Sequence, residues 1–504
     1  TAGTYDVKLI VADGTISDSI IMQNYITVNT ASNGICGDII NDTVWSGLVK
    51  INCDIDVNSG ATLTIIPGTK VEFQGHYYLS VHGRLLAEGT ANDSIIFYSS
   101  DTNTAWNGLR FFDLSYNSMD TSRIAYSQFL YAKAYGTVDI DSLGAAIYIY
   151  ESDNLRIQHS TFIGNQAIEG GGAIYIGYSA PVLNDLLFIN NICDSSYGGG
   201  LFLWGSDAVI NSCAFINNTA KNGGAIAVVE ASPYFKNLIC RYNYAHDEGG
   251  GIYLYNDETI LDHASIKNNS AMNGGGVYLL YSLAGITGST IDSNNALAEG
   301  GGISCWYSSS SALQHSSVNY NHADDVGGGL FISEWSVLDL YDNEITYNSA
   351  YGGGGILCNS DSVEIRNCLI AYNTANGEYA SGGGISCSGN MMLNNVIIRN
   401  NESFGHGGGL SCNYFTNPIL DSVIIAQNLA HDEGGGISCL YSSSPHLYKV
   451  TIDSNTAYGD GGGIFCWDNS NPCIQDANIR NNSADQGAGI IADDASPVIE
   501  NAIL

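Results

Sequence analysis

Acidic side chains gather just ahead of glycine runs along this 504-residue sequence: Glu169, Asp247 with Glu248, Glu299, Asp324 with Asp325, Asp432 with Glu433, and Asp460. His246, His322, His406 and His431 stand in the same places. The simplest reading is a solvated acidic edge that keeps the chain soluble and needs no cofactor. The alternative is calcium, because a hard cation takes six to eight oxygens and stacked acidic corners supply some of them.

Hydrolysis of a glycosidic bond requires two carboxylates at a defined separation. With 50 Asp and Glu in the chain, pairs read from sequence alone select nothing. No Ser/His/Asp spacing, phosphate loop or dinucleotide fingerprint is visible. Only 16 Lys and Arg oppose the acids, which leaves a net charge of −34. That balance excludes nucleic acid as a natural partner, since a duplex binder must displace phosphate counterions with basic patches. It also repels polyanionic sugars and leaves few cations to neutralise a uronate.

The elements that must position these residues announce themselves by repetition. A glycine cluster followed by an apolar residue recurs thirteen times, its last glycine running from Gly172 to Gly489 at a mean interval of about 26 residues. That period is not the nine-residue repeat of calcium-binding RTX segments. A second marker, apolar-x-x-Asn-x-small, keeps the same period from Asn165 to Asn482. Between the markers lie short apolar alternations such as Leu447, Val450 and Ile452, without helical periodicity. A unit of this length with two or three short strands predicts one rung of a parallel β-solenoid, and thirteen rungs at about 4.8 Å predict a rod of roughly 60 Å. Glycine is expected where the backbone turns through positive φ or approaches a neighbour closely. Asparagine is expected at another corner, where it tolerates the left-handed conformation and its amide bonds to the amide one rung away.

Segments such as "EGGGISC", "HDEGGGISCL" and "GDGGGIFCW" resemble the right-handed parallel β-helix repeats of secreted bacterial surface proteins, including those of chlamydial polymorphic outer-membrane proteins. Residues 57–100 are similar to the first coils of such helices in large secreted bacteroidete-type proteins. The opening "TAGTYDVKLIVADGTISDSIIMQNYITVN" resembles the last strands of a PKD domain, an immunoglobulin-like sandwich. The resemblance implies an all-β chain in three parts: a PKD-like tail over 1–30, N-terminal coils over 31–135 and regular repeats over 136–504. It also implies an extracellular or bacterial cell-surface location. Gly405-His406-Gly407 is similar to an element of polygalacturonases, and Asp324-Asp325 to their paired aspartates. The Asn-Thr-Asp and Arg-Ile-Lys elements of those enzymes are missing.

If the first and third positions after each glycine cluster face the core, the second faces solvent. Tyr175, Phe202, Tyr253, Tyr278 and Phe331 then form an exposed aromatic row, widened by Trp204 and Trp306 at the fourth position. Ordinary strand preference for aromatics explains such a row; the functional alternatives are a contact with another subunit or a platform for sugar rings. Cys305, Cys358, Cys387, Cys412, Cys439 and Cys466 share the third position, so a cysteine ladder is expected in the core. Cys36 and Cys53 stand apart from the repeats and are the candidate disulfide of an oxidising compartment. Asn41, Asn92, Asn217, Asn268, Asn401 and Asn481 open glycosylation sequons, which an Asn-rich repeat also generates by composition.

About two or three strands over 1–30 cannot complete a sandwich, and the last repeat stops without a polar cap. Either further chain covers these ends or another copy does, and self-association into an oligomer or fibre is the expected partner relation. No apolar run is long enough for a membrane-spanning helix. The expected role is a structural, adhesive rod without chemistry; the alternative is a protein that binds or cleaves a neutral polysaccharide.

Overall fold

The computed structural model describes residues 3–12, 17–28, 34–112, 121–136 and 139–504. They fold as a parallel β-solenoid of about 16 turns with almost no helix; among the described residues the only helical element is the single turn Asp139–Ser142. No helix among them is long and apolar enough to cross a membrane. Contacts group the chain into two compact units, 1–214 and 215–504.

A complete coil has four strands, as the last part of the second unit shows. A glycine-led strand, Ile437–Cys439, is followed by a second strand, His446–Tyr448, a third, Thr451–Asp453, and a two-residue fourth, Thr456–Ala457. Each pairs in parallel with its counterpart one coil on, so Ile437 meets Ile464, Leu447 meets Ile474 and Ile452 meets Ile479. In the second and third strands one apolar residue is buried between two more open neighbours, the alternation that a half-buried strand produces. The fourth strand turns a tight corner, where Ala296, Ala323 and Ala350 pack together.

The first unit opens with an antiparallel pair, β1 (Gly3–Ala12) and β2 (Ser17–Val28). These strands occupy the stretch that resembles a PKD-like tail; the boundary expected after residue 30 lies outside the described residues. The early coils have three strands each, and the fourth first appears at Lys133–Ala134. Third strands from Ile95–Ser99 onward carry a phenylalanine stack inside the coil, with ring centroids 4.9 Å apart for Phe97 and Phe129, 4.7 Å for Phe129 and Phe162, and 4.9 Å for Phe162 and Phe188. Identical flat side chains at coil spacing stack nearly face to face in the interior.

The two expected roles of glycine fall on different members of each cluster. Gly434 has φ +73°, whereas a Cβ on Gly435 would lie 2.5 Å from the Thr456 carbonyl and 2.6 Å from that of Gly462. The asparagine corner differs from expectation. The left-handed residue is the one before the ladder, such as Tyr347 (φ 57°) or Asn400 (φ 54°), and no ladder Asn has positive φ. Asn348 and its equivalents are instead buried and turn their amides along the ladder.

The cysteine ladder is present. Cys387 pairs with Cys412, Cys412 with Cys439 and Cys439 with Cys466, all buried and all free thiols. Burial pushes the thiols of Cys305 and Cys358 up to about 12, which suits apolar filler rather than reactive groups. Cys36 and Cys53 are disulfide-bonded, with a Cα–Cα distance of 5.2 Å.

Candidate functional site

The outer side of the glycine-led sheet is where the acidic corners and the aromatic row meet. Its central residues do not form the exposed row expected from alternation. Tyr175 and Phe202 in the first unit are 1% and 5% exposed, and Tyr253, Tyr278 and Phe331 in the second are each 4% exposed. Only Trp204 is open, at 38%, while Trp306 is half-buried. Two neighbours cover the row. Along it, rings from successive coils lie against each other, at 5.4 Å for Tyr175 and Phe202 and 5.9 Å for Tyr253 and Tyr278. Beside it, the segment before each glycine cluster lies against the rings: Tyr197 is 5.3 Å from Phe202, and Glu248 hydrogen-bonds with Tyr278. Burial, and then the Glu248 carboxylate, push the Tyr278 phenol pKa far up.

In the first unit this row begins with polar residues that no sequence pattern marks. Asp56, Ser80, Arg110 and Tyr148 stand in register on successive coils. Arg110 is fully buried; it donates to the Gly144 carbonyl and to Asn107 Oδ1, both at 2.6 Å, and its Nε has no hydrogen-bond partner. Asn107 in turn donates to Asp141 Oδ1 at 2.9 Å. Burial pulls the guanidinium down to about 10 against the opposing charge of Asp141. His76 lies in the same field, its pKa lowered by burial, with Nδ1 buried and unpartnered. One arginine in an acidic chain, placed by a single strand, gives sequence analysis nothing to find.

In the second unit the acidic corners influence one another across coils. Burial first, then the neighbouring charge of Asp325, push the Glu299 carboxyl up to about 7. Further along, His406 and the Asp432–Glu433 pair occupy adjacent coils, and their ligand-type atoms all lie within 4.8 Å of one another. His406 Nδ1 is 2.6 Å from Glu433 Oε2 and 3.8 Å from Asp432 Oδ2. Asp324 does not join a carboxylate pair of this kind, because its Oδ1 is taken by His322 Nε2 at 3.0 Å.

A hollow of about 460 Å³ on the side of the second unit contains His315, Asp342, Ser289 and Ser316. His315 Nδ1 lies 2.9 Å from Asp342 Oδ2, yet neither hydroxyl is placed as a nucleophile. Ser289 donates to the Thr287 carbonyl at 2.9 Å and Ser316 to that of Gln314 at 2.7 Å. Each also accepts a backbone N–H, from Ala264 and Ser289 respectively, at 3.0 Å. These are structural corner serines.

An aromatic row that does reach solvent lies elsewhere. Tyr320, Tyr347 and Tyr372 precede the ladder asparagines and are 56%, 45% and 38% exposed. Their rings stack almost in parallel, 4.8 Å apart at both steps, and the Arg399 guanidinium sits 5.7 Å from the centre of the Tyr372 ring. The signal was in the sequence as a tyrosine one place before Asn321, Asn348 and Asn373. Finding it required knowing that this position, and not the asparagine, is the left-handed corner whose side chain points outward. Among the sequons, Asn401 belongs to the buried ladder and is closed to modification.

Residues 136–290, 248–414 and 354–504 match the family described as "Right handed beta helix region". No curated protein matches the chain. Among solved structures, the chain is similar to PfbA, a surface adhesin of Streptococcus pneumoniae, at 10% identity over 84% of this chain and 85% of that one, with a TM-score of 0.23. It is also similar to the PL6 family alginate lyase AlyGC, at 9% identity over 92% of this chain and 97% of that one, with a TM-score of 0.17. Likeness at this level carries no argument about activity.

Proposed function

The chain belongs to the right-handed β-helix family, and on that premise we propose that it is an extracellular or cell-surface scaffold, acting by adhesion or by self-association rather than by chemistry. The observation that carries this reading is the tyrosine ladder. Tyr320, Tyr347 and Tyr372 turn their ring faces toward one another and leave edges and hydroxyls outward. A sugar ring stacks on an open aromatic face, whereas exposed tyrosine edges backed by a rigid sheet suit contact with a protein surface. A second copy of the chain is the partner that the expected self-association supplies. Asparagine occupies the same left-handed corner at Asn217, Asn268 and Asn400, so a variant with Tyr320→Asn, Tyr347→Asn and Tyr372→Asn keeps the backbone.

Sedimentation velocity of the full chain should show concentration-dependent association that the triple variant loses. A chain that stays monomeric at about 100 µM, well above the micromolar range of weak specific contacts, would remove the self-association reading.

A carbohydrate-active role is the second reading, and the cluster around Arg110 favours it by placing a buried cation among Asn107, Asp141 and His76. The net charge of −34 makes a neutral polysaccharide the compatible class. Binding to a glycan array that His76→Ala, at the half-buried edge of this cluster, abolishes in a variant with unchanged circular dichroism would move the weight to it.

A further inference from the structure

We propose that His406, Asp432 and Glu433 bind one divalent transition-metal ion of the zinc class. The three side chains come from two adjacent coils and stand on backbone that the fold holds in place. His406 donates its backbone N–H to the Ala380 carbonyl at 2.8 Å, and its own carbonyl accepts from Gly382 at 3.0 Å. One coil on, the Glu433 carbonyl accepts from the Gly407 N–H at 2.9 Å and the Asp432 N–H donates to the Gly405 carbonyl at 3.1 Å. Gly405 and Gly407 flank the histidine for physical reasons. A Cβ on Gly405 would lie 2.3 Å from the Ala380 carbonyl oxygen, and Gly407 has φ +62°. The resulting Gly-His-Gly run is a tightly fixed pedestal for one imidazole.

The three donors already lie together as an ion-pair cluster, and a shared metal ion would take the place of the proton between them. Nδ1 of His406 is buried and, although 2.6 Å from Glu433 Oε2, is out of line for a hydrogen bond. Other corner histidines have settled partners: His322 Nδ1 pairs with Ser349 Oγ at 2.8 Å, and His431 Nε2 with Glu402 Oε1 at 2.7 Å. Ligands at about 2.0–2.2 Å from a tetrahedral ion lie roughly 3.3–3.5 Å from each other, which small side-chain rotations reach from the observed spacings of 2.6 and 3.8 Å. The half-exposed carboxylates leave the remaining position to water. An ion would also relieve the repulsion between two adjacent carboxylates. The imidazole decides the class: calcium takes an all-oxygen shell, whereas one histidine nitrogen with two carboxylates suits zinc and its first-row neighbours. The proposal therefore differs both from the solvated edge expected of the acidic corners and from calcium, the alternative, and it stands independently of whether the chain associates.

The test is isothermal titration of the chelator-treated full chain with ZnCl2 and, separately, CaCl2, alongside His406→Ala, Glu433→Gln and His431→Ala. The expected result is one equivalent of zinc, a raised melting temperature, and binding weakened about tenfold or more in the first two variants but kept in His431→Ala. Circular dichroism and melting in chelator establish that the variants remain folded, since none of the three side chains belongs to the core. Absence of stoichiometric zinc binding would overturn the proposal. So would zinc binding indifferent to His406→Ala, or calcium bound as tightly as zinc at these residues.

Discussion

Asn348 donates to Oδ1 of Asn373 from both its backbone N–H, at 2.9 Å, and its side-chain Nδ2, at 3.0 Å. The same Nδ2 reaches back to the Val318 carbonyl at 2.8 Å, and Oδ1 of Asn348 accepts both donors of Asn321 at 2.9 and 3.0 Å. One buried amide thus satisfies groups on three coils. Asn348→Ala leaves the Val318 carbonyl and the Asn321 donors short of partners in a site closed to water. It is expected to cost about 2–4 kcal/mol, measured by denaturant unfolding. Asn348→Asp should cost a similar amount, because a carboxylate cannot donate to Val318. An aspartate variant as stable as the parent would refute this account of the ladder.

Glycine substitutions should divide sharply by place. Gly435→Ala puts a methyl group 2.5 Å from the Thr456 carbonyl, where only backbone could give way, and should cost about 2–3 kcal/mol or more. Gly285, at the start of the strand Gly285–Thr287, has no positive φ, and a Cβ added there would meet nothing within 4 Å. Gly285→Ala should be neutral or should stabilise by about 0.4–1 kcal/mol through the unfolded chain. Melting temperatures of the two variants, measured side by side, check both signs.

Glu299 should give the second unit a pH-dependent stability. Its carboxyl titrates at about 7 in the folded chain, raised by burial and by Asp325 from an ordinary value near 4.5. The folded state therefore holds the proton more tightly than the unfolded one, and the contribution is fully present below about pH 4.5. It falls as pH rises through 7, where the buried carboxyl must ionise beside Asp325. The group is partly open to solvent, so screening reduces the effect to the order of 1 kcal/mol. Glu299→Gln should remove this component from the profile of melting temperature against pH between 4.5 and 7. An unchanged profile would show that the carboxyl is not held neutral by its surroundings.

The solenoid was legible because its constraints repeat. Gly434 and Gly435 recur every coil since a left-handed turn and a close backbone approach recur every coil, and Asn348 recurs because each amide needs an identical amide above and below. Period, strand positions and the inward cysteines follow from residue types at fixed spacing, which one-dimensional inspection detects, whereas Cys36 and Cys53 are candidates because they stand outside that spacing. Alternation set Tyr253 and Tyr278 apart from the core neighbours Ile252, Leu254, Val277 and Leu279 along the strand. It could not state what lies over the two tyrosines. Their cover comes from each other across coils and from Glu248 at the end of the fourth strand of the preceding coil, so a residue expected in the open is 4% exposed. The same limit hid the exposed Tyr320–Tyr347–Tyr372 ladder, the isolated Arg110, and the meeting of His406 with a carboxylate pair one coil away. Local sequence determines the direction in which a side chain leaves the backbone; only the stacking of coils decides which groups from distant positions it meets, and therefore whether it is covered, charged or placed to hold a ligand.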